Sequence, residues 1–357
     1  MKQLIIFTKT MSVAGGKERV VAGLANFFAT ENYKVKIITY DGDAISFFPL
    51  DNNINIETHS IRSSKPAKNY ALKIVQLMHD IKAYKKFESE IDDAAVVITT
   101  DHLISSIIYY TSKKNIHKVI AWEHVPFVLP MSFLWRWMRK RVYKKIRYVV
   151  ALNKEEQAFY NTLGCTTVCI PNAVIKQEKV NGSIERIIWV GSLAKEKGTD
   201  DLVTLAIKLK QENMQIKIAV YGDGPEKKSM SALIEEHRLH GTIRLMGIEK
   251  ELVKIYKEAG LLLLTSSFEC FPTVILEAFS FGVPVISYDC PTGPHNLISE
   301  GKEGFLVKTG DVNVMVKKIK VLEENTAMLY KMSDNAYAAA DKYDPHIIFS
   351  KWKELIA

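Results

Sequence analysis

Residues 186–222 read RIIWVGSLAKEKGTDDLVTLAIKLKQENMQIKIAVYG, and the pattern in this stretch decides the fold. It begins and ends with short apolar runs rich in β-branched residues, and the residues between them have the length and period of a helix. Strands that are joined through a helix run parallel, and a parallel strand buried on both faces is apolar along most of its length. The stretch therefore predicts a β-α-β unit of a parallel sheet.

The same alternation occupies the whole chain in two series. The first series of apolar runs is LIIF (4–7), VKIITY (35–40), AAVVIT (94–99), KVIAW (118–122) and YVVAL (148–152). The second is RIIWVG (186–191), QIKIAVYG (215–222), TIRLMG (242–247), GLLLLTS (260–266), VPVISY (283–288) and GFLV (304–307). One sheet of about a dozen strands would be unusually large. We therefore expect an α/β chain with two doubly wound, Rossmann-like parallel sheets.

The polar stretch 171–184 separates the two series. We expect a first domain at 1–170, a second at 171–342, and a C-terminal helix at 343–357 that packs back on the first domain. In open parallel sheets, ligands bind beyond the carboxyl ends of the strands. Two such sheets that face each other across a cleft would place their functional residues in the loops just after the strands.

Charge and composition exclude several classes of protein. Residues 1–168 contain 24 Lys and Arg against 15 Asp and Glu, a net +9, whereas the whole chain carries +8. The usual nucleic-acid-binding motifs are missing, so we expect no nucleic-acid partner. The four cysteines lack CxxC spacing, which argues against a zinc site or a disulfide framework.

The first apolar run is too short for a signal peptide, and no run approaches the roughly 18 to 20 residues that span a bilayer. A cytoplasmic or peripheral protein is expected.

Two loops carry candidate ligand-binding residues. In MSVAGGKER (11–19), Gly15 and Gly16 precede a helix whose first N–H groups suit an anion, although a tight structural turn has the same pattern. In TSSFECFPTVILE (265–277), we expect a strand that ends at Ser266, then a loop with Glu269, and a helix that starts near Pro272 and carries Glu277. Two carboxylates placed in this way can hold several hydroxyls, and the helix start between them suits a phosphate.

This second loop resembles the two-glutamate motif of the family 4 retaining glycosyltransferases, which have the GT-B fold. Further pieces of that pattern follow in order: GGKER (15–19), EH (123–124), PN (171–172), VG and KG within 190–198, GDGP (222–225), DCPTGP (289–294), and Gly301 with Gly304. The resemblance covers nearly the whole chain and is densest over 186–307. It implies that the first domain binds the acceptor and the second a nucleotide diphosphate sugar.

The resemblance also implies roles for single residues. Glu277 would hold the donor ribose, Glu269 the hydroxyls of the transferred sugar, and Lys197 the diphosphate. His124 would approach the sugar from the first domain. Without the resemblance, each of these is as well explained as an ordinary structural or surface residue. The donor site would further include Gly15, Gly16, Gly191, Ser192, Phe271, Thr273 and Val274.

Two positions depart from the family pattern. Ser192 stands where the family usually has an arginine that binds phosphate with two hydrogen bonds, which a lysine does not reproduce. Lys195 or Arg19 are the candidates to supply the missing charge. Cys270 stands where a glycine is usual.

The expected chemistry needs no metal or other cofactor. Retention in the family is attributed to attack on the same face that the leaving group departs from, and no carboxylate suggests a covalent intermediate. A DxD motif is missing, so Lys197 and the helix start would take over the electrostatic role of a divalent ion. The resemblance favours a UDP-sugar as the donor, with a hexose or N-acetylhexosamine transferred.

The acceptor side is suggested by FVLPMSFLWRWMRKRVYKK (127–145), in which aromatic residues run into a basic stretch. This composition is typical of a helix at an anionic membrane surface, although a core helix with a basic end has a similar sequence pattern. We expect a glycan or glycolipid acceptor, either lipid-linked or a lipopolysaccharide, at the inner face of the cytoplasmic membrane. A nucleotide-sugar 2-epimerase of the same fold and a carbohydrate-binding pseudoenzyme, suggested by Ser192, remain the alternatives.

Overall fold

The computed structural model describes residues 2–61, 70–129 and 133–357. The chain divides into two compact units. The first contains residues 1–171 and 351–357, and the second contains residues 172–350. The prediction of two parallel α/β sheets is confirmed, because each unit contains one sheet in which all strand pairs are parallel.

The first unit contains a seven-stranded sheet in the order β3-β2-β1-β4-β5-β6-β7. Its strands are β1 Lys2–Thr8, β2 Tyr33–Thr39, β3 Asn55–Thr58, β4 Val96–Thr99, β5 Val119–Trp122, β6 Tyr148–Ala151 and β7 Thr167–Cys169. Its helices are α1 Gly16–Thr30, α2 Tyr70–Tyr84, α3 Glu88–Asp93, α4 His102–Thr111, α5 Phe133–Tyr143 and α6 Lys154–Thr162.

The second unit contains a six-stranded sheet in the order β10-β9-β8-β11-β12-β13. Its strands are β8 Ser183–Val190, β9 Lys217–Tyr221, β10 Ile243–Gly247, β11 Ala259–Leu264, β12 Val285–Tyr288 and β13 Gly304–Val307. The helices are α7 Thr199–Gln211, α8 Lys227–Glu236, α9 Leu252–Tyr256, α10 Thr273–Ser280, α11 Val312–Glu324, α12 Thr326–Ala339 and α13 Pro345–Ile356. From Lys351 onward, α13 belongs to the first unit, where Trp352 packs on Trp122 with ring centroids 5.0 Å apart.

Three details differ from the sequence prediction. The edge strands β3 and β7 were not predicted, because both are only partly buried and lack a continuous apolar run. Strand β11 ends at Leu264 rather than Ser266, and just beyond it the Ser267 N–H donates to the Glu196 carbonyl in the loop after β8 at 2.8 Å instead of extending the strand ladder. The apolar periodicity of residues 71–87 predicts one continuous helix, whereas the structure ends α2 at Tyr84 and continues with a 3-10 turn over Lys85–Phe87.

The strand order determines where ligands can bind. In the first sheet β1 lies beside β4, and in the second β8 lies beside β11, so the chain changes its direction of winding at these two places. The loops after such neighbouring strands diverge to opposite faces of the sheet and leave a crevice at the carboxyl edge. In the first unit this crevice is formed by the loops after β1 and β4, and in the second unit the corresponding crevice is formed by the loops after β8 and β11.

Candidate functional site

The loops after β8 and β11 are joined by hydrogen bonds in the second unit. The Thr265 hydroxyl donates to the carbonyl oxygen of Lys197 at 2.8 Å and accepts from the Trp189 indole at 3.0 Å. Gly198 has a φ of +69°, and a Cβ there would lie 2.1 Å from the Thr265 oxygen. Only glycine tolerates this approach. The joined loops hold Lys197 beside the residues that follow β11.

Lys197 and Glu269 form an ion pair at this junction. The Lys197 Nζ lies 2.6 Å from Glu269 Oε1, with side chains 28% and 13% exposed. The Ser266 hydroxyl donates to the same carboxylate oxygen at 2.7 Å. Two of the predicted catalytic residues are therefore brought together, and each partly neutralises the charge of the other.

The backbone of Glu269 is held by the loop that follows β12. The Thr292 hydroxyl donates to the Glu269 carbonyl at 2.9 Å. Thr292 has a φ of +71°, which is unusual for a β-branched residue and costs on the order of 1–3 kcal/mol. Burial and the Glu269 charge raise the pKa of the neighbouring Cys290 thiol to about 12, so that thiol stays protonated. Backbone strain such as that at Thr292 collects at functional sites.

Glu277 lies one turn into α10 and is buried. The Tyr256 hydroxyl donates to Glu277 Oε2 at 3.3 Å and lies equally far from the Val274 carbonyl. A buried, hydrogen-bonded carboxylate is not an ordinary solvated helix residue. The helix begins at Thr273 after Pro272, close to the predicted start, so the N–H groups of Thr273 and Val274 lie in its first turn. Phe271 is buried and contacts Tyr343.

Ser192, which stands where the family pattern has an arginine, lies just after the end of β8. Gly191 donates its N–H to the Tyr221 carbonyl at 3.0 Å, and the Ser192 side chain that follows is exposed. Lys195 is exposed and forms no ion pair with any residue that the structure describes, whereas Arg19 of the first unit lies 4.5 Å from the centre of the Phe48 ring. Cys270 is buried without a positive φ, so the usual glycine is not needed there.

In the first unit, the loop after β1 leads directly into α1. Gly15 precedes the helix and Gly16 is its first residue. A Cβ on Gly15 would meet Glu18 Oε2 at 2.0 Å, because the Glu18 carboxylate folds back over the helix start. Lys17 lies 3.5 Å from this buried carboxylate. Glu18 is thus an internal anion at the positive end of α1, which the sequence reasoning missed.

His124 follows β5 with its imidazole beside the Trp122 ring at 4.5 Å. Its Nε2 atom is buried and has no hydrogen-bond partner among the residues that the structure describes. Burial, together with the charge of Lys17, lowers the pKa of His124 to about 3, so the ring is neutral at pH 7. A buried polar nitrogen without a partner is costly unless a ligand completes it.

A buried charge cluster supports the His124 loop and was also missed by the sequence reasoning. Glu123 accepts hydrogen bonds from the hydroxyls of Tyr143 and Tyr160, and burial raises its pKa to about 6. The buried Arg139 attracts Glu123 and Glu156. In the sequence, the only indication of this cluster is that the carboxylate of Glu123 directly follows an apolar strand.

The basic–aromatic segment 127–145 is partly described, with Pro130 to Ser132 lying outside the described residues. Helix α5 buries one face in the core through Met138, Val142 and Tyr143. Its opposite face exposes Phe133, Arg136, Trp137, Lys140 and Arg141. The buried face is that of a core helix, and the exposed face carries the aromatic and basic side chains on which the prediction of a membrane surface depends.

Across residues 2–61, 70–129 and 133–357, no helix combines the length and the hydropathy that a bilayer crossing requires. In the same parts of the chain, no three His, Cys, Asp or Glu side chains converge as a metal site would require.

Comparison with known proteins finds similarity to glycosyltransferases. Residues 172–339 match the family model of the glycosyl transferases group 1. The chain is 26% identical to an uncharacterized glycosyltransferase of Haemophilus influenzae, with 100% of both chains covered. It is 23% identical, over 96% of its length and 95% of the relative, to a Campylobacter jejuni enzyme. That enzyme is the GalNAc-alpha-(1->4)-GalNAc-alpha-(1->3)-diNAcBac-PP-undecaprenol alpha-1,4-N-acetyl-D-galactosaminyltransferase.

Among solved structures, the pneumococcal O-GlcNAc transferase GtfA in complex with UDP and GlcNAc aligns with a TM-score of 0.78. The alignment covers 99% of this chain and 98% of the other at 15% identity, which establishes a shared fold. The match to the group 1 glycosyl transferases thus lies within the second unit, and the two parallel-sheet units have the architecture of the GT-B glycosyltransferases.

Proposed function

We propose that this chain is a retaining, metal-independent glycosyltransferase of family 4. It transfers a hexose or N-acetylhexosamine from a UDP-sugar to a lipid-linked or lipopolysaccharide acceptor in the synthesis of a cell-envelope glycan. The observation that carries the proposal is the Lys197–Glu269 pair at the crevice of the second sheet, with the buried Glu277 one turn into the adjoining helix.

The donor would contact Glu277, the first turn of α10 and Glu269. Glu277 accepts hydrogen bonds from the ribose hydroxyls, and the first turn of α10 faces the diphosphate with its N–H groups. Glu269 accepts hydrogen bonds from the transferred sugar. A nucleotide diphosphate has the charge to draw Lys197 away from Glu269, which releases the carboxylate for the sugar. The UDP and GlcNAc in the GtfA complex support this type of donor.

The reaction is proposed to proceed by departure of UDP and attack of the acceptor hydroxyl on the same face of the sugar. Negative charge grows on the β-phosphate as the glycosidic bond breaks, and the Lys197 ammonium stabilises it. The neutral imidazole of His124 supplies a hydrogen-bonding group to the sugar, which would complete its otherwise unpartnered buried Nε2. No divalent ion is needed if Lys197 and α10 carry this electrostatic role.

The acceptor is proposed to be reached from a membrane surface. The outer face of α5 carries aromatic and cationic side chains, a composition that suits the anionic inner face of the cytoplasmic membrane. The undecaprenol-linked acceptor in the name of the Campylobacter relative supports a lipid-linked acceptor here.

A panel of nucleotides and nucleotide sugars tests the proposal through thermal shift, because a ligand that binds only the folded state raises the unfolding temperature. A selective shift with UDP-sugars, followed by transfer to an undecaprenyl-diphosphate glycan with the anomeric configuration retained, is expected. A carbohydrate-binding pseudoenzyme, favoured by Ser192, would bind without hydrolysing or transferring the sugar.

A further inference from the structure

Trp122 carries a second buried nitrogen without a partner, directly beside His124. The indole is 2% exposed, and its Nε1 atom has no hydrogen-bond partner among residues 2–61, 70–129 and 133–357. The His124 Nε2 atom is in the same state, and the centroids of the two rings lie 4.5 Å apart. Each such atom costs free energy in the folded chain, so two of them in adjacent rings indicate a place where a ligand group completes the hydrogen bonds.

The two rings lie together on one side of the first sheet, at the carboxyl end of β5. Side chains alternate along a strand, and Ala121 faces the core that includes residues of α4 and α5, whereas Trp122 packs on Trp352 of α13. His124 follows two residues after Trp122, just beyond the end of the strand. Open parallel sheets bind their ligands at this edge. The pair of nitrogens is therefore placed where a ligand is expected.

The Trp122 ring is held in place from both sides of the sheet. Its centroid lies 5.0 Å from that of Trp352, with the planes at 69°, and Trp352 is 1% exposed. The intervening Glu123 accepts hydrogen bonds from the hydroxyls of Tyr143 and Tyr160, which fixes the backbone between the two rings. An N–H that is already fixed loses little conformational freedom when it binds a ligand.

The two nitrogens have complementary hydrogen-bonding capacities. An indole N–H can only donate, whereas a neutral imidazole has one nitrogen that accepts. Burial and the charge of Lys17 lower the pKa of His124 to about 3, so its ring is neutral at pH 7. With the ring proton on Nδ1, Nε2 is the acceptor. A hydroxyl group satisfies both atoms at once because it accepts and donates, whereas a carbonyl or carboxylate oxygen would satisfy the indole alone.

We propose that the Trp122 indole donates a hydrogen bond to one hydroxyl of the transferred sugar, and that this hydroxyl donates to His124 Nε2. The inference rests on the proposed function, since the sugar is that of the UDP-sugar donor. It adds Trp122 to the site as a residue that determines specificity. A sugar without this hydroxyl leaves both buried nitrogens unpartnered, so the site rejects it.

The indole ¹⁵N–¹H resonances test the inference directly, because the chain has five tryptophans and therefore five such resonances. The resonance that disappears in Trp122→Phe belongs to Trp122. In the wild type it should move downfield when a UDP-sugar binds and stay in place with UDP alone, since UDP lacks the sugar hydroxyl. If Trp122→Phe does not fold, Trp→Phe variants at the other four positions assign the resonance by elimination.

Donors that each lack one hydroxyl of the sugar provide the second test. For one of them, kcat/KM of the wild type should fall about tenfold to a hundredfold below that of the parent donor, and Trp122→Phe should shrink this ratio about fivefold or more. The matched control is Trp352→Phe, which truncates the neighbouring ring of the same stack. Both variants should lose stability, but Trp352→Phe should keep the wild-type ratio.

Three results would overturn the inference: an unmoved Trp122 resonance in the UDP-sugar complex, equal use of the parent and all deoxy donors by the wild type, or an equal loss of selectivity in Trp122→Phe and Trp352→Phe. In each of these cases the wild type still binds its donor, so the proposed function stands. Failure of every UDP-sugar to bind would instead refute the proposed function, together with the hydroxyl site that depends on it.

Discussion

The Lys197 ammonium lies 2.6 Å from the Glu269 carboxylate, although 72 residues separate them in the chain. Through this ion pair, the two groups proposed for the diphosphate and for the sugar hold each other in place. Donor binding would exchange this ion pair for two separate contacts.

Replacing Lys197 by Ala should lower kcat about a hundred- to a thousand-fold, because one preorganised electrostatic contact contributes roughly 2.7–4 kcal/mol in a closed site. The exposed Lys331 on α12 is the matched control, and Lys331→Ala should stay within a few-fold of the wild type. Steady-state kinetics with the donor sugar identified by thermal shift measures both. A harmless Lys197→Ala would refute the assignment of the phosphate site.

Replacing Glu277 and replacing Glu269 by Ala should have different kinetic effects. Glu277→Ala should weaken donor binding, because the carboxylate proposed for the ribose is lost. Glu269→Ala should lower turnover more than binding, since its hydrogen bonds to the sugar are proposed to strengthen in the transition state. Donor titration by calorimetry and kcat measurements check the two effects. Near-wild-type behaviour of both variants would contradict the site.

Ser192→Arg should tighten the binding of UDP by about tenfold or more, because a charged hydrogen-bond donor would be added at an exposed position beside Gly191. Calorimetric titration of UDP gives the change, and thermal unfolding checks that the fold is intact. Unchanged or weaker binding would mean that another cation already fills this role, and Lys195→Ala in the Ser192→Arg background would then identify it.

Transfer should continue in excess EDTA. Lys197 already sits against Glu269, so the proposed phosphate site holds a fixed cation where other enzymes bring a divalent ion. Initial rates with and without EDTA, after the protein has been dialysed against the chelator, measure the effect. A loss of activity that added magnesium restores would reveal a metal site that this chain was not expected to have.

Glu123→Gln should change how stability depends on pH. Burial raises the folded-state pKa of Glu123 from 4.5 to about 6, so between these values the folded protein binds a proton that the unfolded chain has released. The contribution of Glu123 to the free energy of unfolding is therefore fully present below pH 4.5, where the carboxyl is neutral, and is lost as the pH rises through 6. Relative to the wild type, the variant should gain about 2 kcal/mol between pH 4 and 7.

Denaturant unfolding at several pH values measures this difference. The comparison between variant and wild type removes the opposite contribution of His124, whose lowered pKa adds stability as pH rises above about 3. A difference that does not vary with pH would show that folding does not raise the pKa of Glu123.

The amino-acid sequence by itself determined the architecture, because buried parallel strands need apolar runs and the spacing of these runs is a local property. Two sheets, and nearly all of their strands, could be predicted in this way. The edge strands β3 and β7 could not, since a strand with one open side needs few apolar residues. The loops that carry Lys197, Glu269 and His124 were also readable, because each follows a predicted strand.

Only the tertiary structure decided which of these loops meet. The pairing of β8 with β11 brings Lys197 to Glu269, and local periodicity does not encode strand order. The same is true of the hydrogen bond from Tyr143 to Glu123 and of Thr292 beneath Glu269. These contacts join residues that are distant in the chain, and they form because whole helices and strands pack, not because neighbouring residues favour them.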